Sequence, residues 1–372
     1  MLDKTKKLLL VVDDDPTILK LLFNSLAKEY SVVTAVDGED AINKAAETRP
    51  DLLITDVVMP KKDGFELCKA FKFNPELLDV PIIILTALGR SSDKFEGFRM
   101  GADEFIVKPF SPSELRKRVA HLLKISDPID HDTPSWEAAQ DAEGRSISTG
   151  TKALDAVLGG GLPAASNILL IGPVESGISS FCRNFLATGL AHHESCMMVA
   201  IDNGPSSVRR ELDELLSDQP STYYEVSKLL AIADAFSWCA EVKEVAKKSP
   251  EDSFCKINHL LTLMAKAGVE IGQNPIARKG GKRVIDSISK LFTLFESAVV
   301  ERFLRQATRA ATTQGSVCTI FTLDKGSVQE DTVNDIMTLM DGVFELKLEG
   351  GDTFLRVPSI KHLQVPDTWI RL

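Results

Sequence analysis

Short apolar runs alternate with amphipathic stretches through the first third of the chain. Five runs are rich in β-branched residues and favour strands: LLLVV, SVVTA, DLLIT, PIIIL and EFIV. Between them lie stretches such as PTILKLLFNSLAKE and SPSELRKRVAHLLK, whose apolar residues recur at helical spacing. Strands that alternate with helices predict a parallel sheet covered by helices on both faces. Residues 1–124 are therefore expected to form a (βα)5 α/β domain.

Polar residues follow four of these predicted strands. Asp13 and Asp14 follow the first strand, Asp56 the third, Thr86 the fourth and Lys108 the fifth. The carboxyl ends of parallel strands meet at one edge of a sheet, so these side chains are expected to converge. Converging carboxylates favour a hard cation such as Mg²⁺. With the cation bound, Asp56 is able to act as a nucleophile toward phosphorus.

The motifs VVDDDP, DVVMPKKDGFEL, LTA and GADEFIVKPF resemble those of the receiver domains of two-component response regulators, over residues 6–124. The resemblance implies a flavodoxin-like fold and a histidine kinase or phosphotransfer protein as partner. It implies Asp56 as the phospho-acceptor. It implies Mg²⁺ as the cofactor, held by Asp13, Asp14, Asp56 and the backbone carbonyl of Val58.

The same resemblance assigns three further roles in the receiver. Thr86 is implied as the switch hydroxyl and Lys108 as the partner of the phosphoryl group. Phe105 falls at the position of the switch aromatic, and a plain core aromatic is the alternative for it. The segment from residue 91 to 124 mixes charges, which predicts either a solvated face or a surface for self-association.

A second series of apolar runs begins after residue 148 and predicts one further α/β domain to residue 372: NILLI, CMMVAID, LLAIADAFSW, GKRVIDSISKLF, SVCTIFTL, GVFELKLEGG and DTFLRVPSI. The first run precedes GPVESGISS, which has the glycine spacing of a phosphate-binding loop, with Gly172, Gly177 and Ser179 in place. Ile178 stands where such loops carry lysine. The fourth run contains Asp286, where a Walker-B-type carboxylate would stand.

The motifs TGTKALDAVLGGGLP, ADAFSW, RVIDSIS and DGVFELKLEGGDTFLRV resemble the KaiC-like branch of the RecA superfamily. Against that family's pattern, Asp202 and Asn203 replace two adjacent glutamates that activate water, and an amide cannot act as a base. Ser359 and Lys361 replace a lysine and an arginine that reach the neighbouring subunit.

The missing loop lysine bears on nucleotide binding as well. A lysine about 4 Å from a phosphate is worth roughly 4 kcal/mol at an effective dielectric constant of about 20, so its loss weakens nucleotide binding by about three orders of magnitude. ATP binding is therefore in doubt, and the domain is expected not to hydrolyse ATP.

Charge and cysteine content narrow the function classes. The formal net charge is −10. Residues 125–147 carry six acidic residues and one basic residue, which is typical of a linker. No basic stripe indicates nucleic-acid binding, and no apolar run predicts a membrane span or a signal peptide. Six cysteines without a C-x-x-C pair predict buried thiols in a reducing cytoplasm.

Two features leave alternatives open. The segment GQNPIARKGGKR, within the poorly patterned residues 215–282, is expected to be a solvated basic loop or a partner-docking loop. His192 and His193 are expected to be surface or capping residues, because no third metal ligand accompanies them.

Together the patterns predict a two-domain response regulator. Phosphorylation of Asp56 by a histidine kinase would change the interactions of a KaiC-like output domain that does not hydrolyse ATP. The output would be self-association through the receiver or the KaiC-like domain, docking of a downstream protein, or both. The alternative is a KaiC-like ATPase that is gated by phosphorylation.

Overall fold

The computed structural model of the protein describes residues 6–87, 100–126, 146–243, 253, 256–271, 278–313 and 317–372. The chain divides into two compact units, Met1–Ala138 and Ala139–Leu372. We refer to them as the amino-terminal unit and the carboxy-terminal unit. Most of the predicted linker, residues 125–147, lies outside the described residues.

The amino-terminal unit contains a five-stranded parallel sheet in the order β2-β1-β3-β4-β5. Its strands are β1 (Leu8–Val12), β2 (Ser31–Ala35), β3 (Leu52–Asp56), β4 (Ile82–Ala87) and β5 (Glu104–Lys108). Its described helices are α1 (Pro16–Leu26), α2 (Gly38–Glu47), α3 (Gly64–Phe73) and α4 (Pro112–Ser126). The predicted flavodoxin-like α/β fold is confirmed.

Capping residues start the helices that follow the chemically important strands. Asp15 accepts a hydrogen bond from the backbone N–H of Thr17 and precedes Pro16 at the first position of α1. Asp63 and Glu66 form a reciprocal capping box at the start of α3. These caps fix where the chain turns away from β1 and β3. As a result, Asp13 and Asp56 stay at the carboxyl edge of the sheet.

Two apolar clusters, one on each face of the sheet, form the core of this unit. One contains Leu10, Leu53 and Ile84 with residues of α2 and α3. The other contains Leu9 and Ile54 with residues of α1 and α4. Successive strand residues therefore point to opposite buried faces, which explains the continuous apolar runs in the sequence.

The carboxy-terminal unit contains an eight-stranded sheet in the order β10-β9-β11-β12-β8-β13-β14-β15. Its strands are β8 (Asn167–Gly172), β9 (Glu194–Ala200), β10 (Leu230–Asp234), β11 (Arg278–Asp286), β12 (Val317–Asp324), β13 (Gly342–Glu349), β14 (Asp352–Ile360) and β15 (Ile370–Arg371). A separate hairpin pairs β6 (Ser146–Ile147) with β7 (Leu162–Pro163). Strands β8 to β13 run parallel, and β14 and β15 close the edge antiparallel.

The helices of this unit lie between the strands along the chain. The described ones are α5 (Lys152–Val157), α6 (Ile178–Ala191), α7 (Pro205–Asp213), α8 (Ser221–Val226), α9 (Ala235–Lys243), α10 (His259–Ile271), α11 (Ile288–Leu294), α12 (Ser297–Thr313) and α13 (Glu330–Thr338). The predicted RecA/KaiC-like α/β fold is confirmed. Every helix in the part of the chain that the structure describes is too short or too polar to cross a membrane.

Two predicted strands are shorter than the sequence pattern indicates. The run LLAIADAFSW is a strand only to Asp234, and the helix α9 begins at Ala235. The run GKRVIDSISKLF is a strand only to Asp286. Ser287 then caps α11, because its hydroxyl accepts a hydrogen bond from the backbone N–H of Ser289. In both cases the strand ends at an aspartate on the carboxyl edge of the sheet.

The expectation of a solvated basic loop is wrong for the described part of GQNPIARKGGKR. Arg278–Asp286 is a strand, and Lys282 and Arg283 are buried; residues 272–277 lie outside the described residues. The Lys282 ammonium donates to the carbonyls of Ser148 and Phe185 at 2.8 and 2.9 Å. The basic sequence around Lys282 suggested that its charge is exposed. Backbone carbonyls instead hold that charge in the interior.

Candidate functional site

Three carboxylates meet at the carboxyl edge of the amino-terminal sheet. The ligand atoms of Asp13, Asp14 and Asp56 lie within 4.8 Å of one another. Among the described residues they form the one group of three or more potential metal-ligating side chains. Asp13 is buried, Asp56 is half-buried and Asp14 is exposed, so the cluster opens toward solvent on one side.

Lys108 lies between two of these carboxylates. Its ammonium is 2.8 Å from Asp13 Oδ2 and 2.8 Å from Asp56 Oδ1, and its side chain is 21% exposed. One cation therefore offsets the repulsion between two acids that the strand order brings together. The remaining carboxylate oxygens and the exposed Asp14 fit a hard divalent cation, which prefers oxygen ligands.

Burial raises the pKa of the Asp13 carboxyl above its ordinary value of 3.8, against the lowering effect of its hydrogen bond from Lys108. Burial alone would lower the pKa of Lys108, but the hydrogen bonds to Asp13 and Asp56 outweigh it and raise that pKa. One ammonium thus lies beside two carboxylates of the site. A bound divalent cation would add further positive charge beside these carboxylates.

The other predicted receiver residues lie in the surroundings of this cluster. Thr86 is buried near the end of β4, next in the sheet to β3, and its register partner on β5 is Val107. Val58 follows β3 by two residues and exposes 76% of its surface. Phe105 is partly buried against the apolar cluster that contains Leu53 and Ile84.

Gly64 supports the site and was missed by the sequence reasoning. A Cβ atom on Gly64 would lie 2.0 Å from the carbonyl oxygen of Asp56. The Gly64 N–H also donates to the Val57 carbonyl at 2.9 Å. The start of α3 therefore packs directly on the backbone of the candidate acceptor, and no side chain fits between them. The glycine within the motif KKDG was the available signal.

The mixed-charge segment 91–124 is not one solvated face. Asp103 is buried and lies 3.1 Å from the buried ammonium of Lys72, and Glu104 pairs with Arg118 at 3.2 Å. Arg116 lies 3.9 Å from Glu29. Ser91, Lys94 and Arg99 lie outside the described residues. Asp103, one of the charged residues of this segment, therefore lies in the interior and does not contribute to a solvated face.

The glycine-rich loop of the carboxy-terminal unit joins a strand to a helix, as predicted. It runs from Gly172, at the end of β8, to Gly177, which has a φ of 89° and precedes α6. A Cβ on Gly177 would lie 3.0 Å from the Thr353 hydroxyl, and one on Gly172 would lie 2.6 Å from the Ser176 hydroxyl. Glycine is required at Gly177 by its left-handed backbone.

The side chains at the start of α6 do not carry the charge of a phosphate site. Ile178 is buried, with 8% of its surface exposed, in the main apolar cluster of the unit. Ser179 is exposed at the first turn, and Glu175 is exposed within the loop. The loop and the first turn of α6 therefore expose Glu175, Ser179 and Ser180. The position equivalent to the lysine points into the core.

Asp286 is engaged inside the protein. It is 4% exposed at the end of β11. Its Oδ1 accepts a hydrogen bond of 2.8 Å from the Thr322 hydroxyl, and its Oδ2 lies 3.5 Å from the Arg183 guanidinium. Burial raises the pKa of this carboxyl, and Arg183 and Thr322 oppose that effect. Both oxygens already have partners, which leaves Asp286 poorly suited to serve a metal.

Four residues were predicted to depart from the family pattern. Asp202, Ser359 and Lys361 are exposed, and Asn203 is half-buried. Asp202 follows β9, and its side chain is 56% exposed, 3.6 Å from the Lys290 ammonium. Asn203 follows it directly. Lys361 pairs with Asp341 at 3.0 Å. The structure thus brings Asp202 near the edge that holds Asp286, since both the Ile201 and Asp202 N–H groups donate to the Asp286 carbonyl.

The burial predicted for the cysteines and the surface position predicted for the two histidines agree with the structure where it describes them. Five cysteines are buried with free thiols, namely Cys68, Cys182, Cys196, Cys239 and Cys318. Cys255 lies outside the described residues. His192 and His193 are exposed, and His192 occupies the cap position after α6.

Comparison with known proteins assigns a family to each unit. The family profile described as "Response regulator receiver domain" matches residues 9–120, and the profile described as "KaiC" matches residues 147–364. The second match spans more than half of the chain.

Two curated relatives are named as regulators of transcription. The chain is 45% identical over 122 residues to the "Probable transcriptional regulator ycf27" of Guillardia theta, which covers 32% of this chain and 47% of that protein. It is 44% identical over 122 residues to the "Alkaline phosphatase synthesis transcriptional regulatory protein PhoP" of Bacillus subtilis (strain 168), which covers 32% and 50%. The chain thus spans about half the length of the curated relatives it matches.

The chain is also similar to a solved structure at low sequence identity. The "KaiC-like protein PH0186" of Pyrococcus horikoshii OT3 is 18% identical, with a TM-score of 0.47, over 61% of this chain and 94% of that one. The family assignment rests on the two profiles and on the folds described above. The chain belongs to the KaiC family, and it carries a response regulator receiver domain ahead of its KaiC domain.

Proposed function

We propose that the protein is a phosphorelay response regulator whose receiver domain is phosphorylated on Asp56. The observation that carries the proposal is the position of the Lys108 ammonium, 2.8 Å from both Asp13 and Asp56 beside the exposed Asp14. A phosphoryl group on Asp56 would meet that ammonium. The donor is a histidine kinase or a phosphotransfer protein, the partner class that a receiver domain implies.

In the proposed reaction, an Asp56 carboxylate oxygen attacks the phosphorus of a phosphohistidine. The new bond forms between that oxygen and phosphorus, and the bond from phosphorus to the histidine nitrogen breaks. Mg²⁺ held by Asp13, Asp14, Asp56 and the Val58 carbonyl would supply positive charge to the transferring oxygens. Lys108 supplies a second positive charge, and the Thr86 hydroxyl is the hydrogen-bond donor on the neighbouring strand. Phe105 on β5 would follow the movement of Thr86.

We propose further that the KaiC domain does not hydrolyse ATP. Three features support this: the buried Ile178 in place of the loop lysine, the exposed Asp202 and the half-buried Asn203 in place of two glutamates, and the internal partners of Asp286. Gly172, Gly177 and Ser179 remain as a phosphate-loop backbone, so weak nucleotide binding without turnover is compatible with the proposal.

The output is then a change of interactions. We propose self-association through the receiver or the KaiC domain, and docking of a downstream protein, in the cytoplasm. Because the matched relatives are named as transcriptional regulators, we propose that the downstream protein takes part in the control of transcription. Direct binding of nucleic acid by this chain is not part of the proposal, because its sequence lacks a basic stripe.

The alternative function is a KaiC-like ATPase that phosphorylation switches on. The preserved loop backbone, with an exposed Ser179 at the helix start, is the observation that favours it. The two functions differ in phosphate release from ATP, which only the ATPase shows above background.

The test of the receiver proposal is phosphorylation of the full chain by acetyl phosphate. We expect one phosphoryl group per chain by intact mass in Mg²⁺, none in EDTA, and none in Asp56→Asn. The exposed Asp79→Asn, on the same unit, is the matched control and should label normally. Labelling that persists in Asp56→Asn would contradict the acceptor assignment. Light scattering of the phosphorylated chain reports self-association, and an unchanged mass would assign the output to another partner.

A further inference from the structure

A buried arginine lies between two carboxylates beneath the glycine-rich loop of the KaiC domain. Arg183, on α6, exposes 1% of its surface. Its Nε donates to Glu211 Oε2 at 3.1 Å, and its Nη2 lies 3.5 Å from Asp286 Oδ2. The side chain of Glu211 is 31% exposed, whereas that of Asp286 is 5% exposed. The guanidinium therefore holds an interior acid to one nearer the surface.

The second oxygen of each carboxylate is fixed by a hydroxyl. Glu211 Oε1 accepts a hydrogen bond of 2.9 Å from Ser207, and Asp286 Oδ1 accepts one of 2.8 Å from Thr322. These bonds leave Glu211 Oε2 and Asp286 Oδ2 directed at the same guanidinium. The Met198 sulfur, 3.6 Å from Nη1, lies on another side of it. The result is a built environment for one positive charge.

This environment lies close to the place where a phosphate-loop fold keeps its metal. Asp286 is the Walker-B-type carboxylate, and Ser179, at the hydroxyl position of the loop, precedes Arg183 by four residues on α6. Residues four apart in a helix lie on the same face, one turn from each other. The guanidinium is therefore one helical turn further from the loop than the position of the metal-binding hydroxyl.

We propose that Arg183 occupies a cation site of the KaiC domain, and that Asp286 and Glu211 would bind a divalent cation there if the guanidinium were removed. In the natural protein the site is then filled by the chain itself, and Asp286 ligates no metal. The proposal goes beyond the lack of ATP hydrolysis, because it assigns a charge-compensating role to one residue and a latent metal site to two others.

Removing one partner of a buried ion pair leaves an uncompensated charge, which costs more than the pair contributed. A cavity the size of an arginine side chain, lined by two carboxylate oxygens and two neighbouring hydroxyl-bound oxygens, offers hard ligands to Mn²⁺ or Mg²⁺. Entry of the ion from the side of the partly exposed Glu211 would restore neutrality. A purely structural role for Arg183 predicts no gain of metal binding.

The experiment counts bound Mn²⁺ on the full chain by electron paramagnetic resonance, without nucleotide. The receiver site serves as an internal standard in every variant. We expect Arg183→Ala to gain one Mn²⁺ equivalent per chain over the wild type. That gain should vanish in the double variant Arg183→Ala with Asp286→Asn. The matched control is Arg209→Ala on α7, which removes a surface arginine bonded to Glu225 at 2.9 Å and should gain nothing.

Thermal unfolding gives a second readout. Arg183→Ala should melt roughly 10 °C lower than the wild type, and Mn²⁺ should restore most of that loss. If Arg183→Ala does not fold, Arg183→Gln keeps the length of the side chain without its charge and should show the same restoration by Mn²⁺.

Two results would overturn the proposal. One is a folded Arg183→Ala or Arg183→Gln protein that binds no more Mn²⁺ than the wild type. The other is a wild-type protein whose KaiC domain already binds Mn²⁺ through Asp286. Neither measurement uses ATP, so either failure leaves the proposed lack of hydrolysis to be judged on phosphate release.

Discussion

Each of the two domains holds a charged cluster that includes an aspartate at the carboxyl end of a parallel strand, and the two clusters differ in exposure. Each has two carboxylates joined by one basic side chain: Lys108 between Asp13 and Asp56, and Arg183 between Glu211 and Asp286. The Lys108 side chain is 21% exposed and that of Arg183 is 2% exposed. We call Asp13 and Asp56 with Lys108 the open pair, since its flexible lysine leaves room for a metal ion and a phosphoryl group. We call Glu211 and Asp286 with Arg183 the closed pair, since its planar, five-donor guanidinium already balances the charge of the carboxylates.

The difference shows that residue identity at a strand end does not decide function by itself. Asp286 and Asp56 both end a strand of a parallel sheet. Asp56 keeps one side toward solvent and lies beside the exposed Asp14. Asp286 has an internal hydroxyl and an internal guanidinium as partners. The surroundings, and the resulting electrostatics, separate the half-buried carboxylate of Asp56 from the buried one of Asp286.

The largest expected effect concerns Ile178, the buried residue in the position of the loop lysine. Ile178→Lys should destabilise the KaiC domain by about 1–3 kcal/mol, because an ammonium in this apolar cluster is unpaired. Ser180→Lys, an exposed position two residues along the same helix, is the control and should change the melting temperature little. Thermal unfolding with and without Mg-ATP measures the effect. An unchanged or higher melting temperature without nucleotide would show that the site is open rather than closed.

A smaller effect is expected for the lysine of the open pair. In the metal-free receiver, Lys108 competes with a cation for Asp13 and Asp56. Lys108→Met should raise the affinity of the receiver for Mn²⁺ by about tenfold, roughly 1.4 kcal/mol, because a single charge about 4 Å away is removed. Lys20→Met, exposed on α1, is the control. A decrease in affinity would mean that Lys108 supports the metal site instead of competing for it.

The smallest expected effect is on pH dependence. Because burial raises the pKa of Asp13, this carboxyl takes up a proton at a pH above its ordinary value of 3.8. Metal binding needs the ionised form, so Mn²⁺ affinity should be present at higher pH and fall as the pH drops through the raised pKa.

Folding stability responds to the same group with the opposite sign. The raised pKa contributes stability below the ordinary value, and this contribution is lost as the pH rises through the folded-state pKa. Urea unfolding of metal-free wild type and Asp13→Asn across pH 4–7 measures it. The two proteins should approach each other in stability as the pH falls. A constant difference would show that Asp13 does not titrate in this range.

The receiver site was predictable from the sequence because its topology is simple. An acid directly after β1, an acid at the end of β3 and a lysine at the end of β5 come close together when those strands are parallel neighbours or near neighbours. The glycine-rich loop was predictable for the same reason, since a strand, a turn and a helix lie in sequence order.

The partners of the closed pair were not predictable. Arg183 finds Glu211 across 28 residues and Asp286 across 103, and no local pattern links them. The buried Lys282 was concealed in the same way, because its acceptors at Ser148 and Phe185 are 134 and 97 residues away. Long-range hydrogen bonding, rather than local composition, decides whether such a charge is buried.

The central claim is that chemistry takes place in the receiver and not in the KaiC domain. Steady-state release of phosphate from ATP labelled at the γ-phosphate tests it most directly. The full chain is compared with Asp286→Ala, each with and without acetyl phosphate. The account predicts the same background release in all four samples, while acetyl phosphate still modifies Asp56. Release by the wild type that clearly exceeds that of Asp286→Ala, above all after phosphorylation, would contradict it and establish a phosphorylation-gated ATPase.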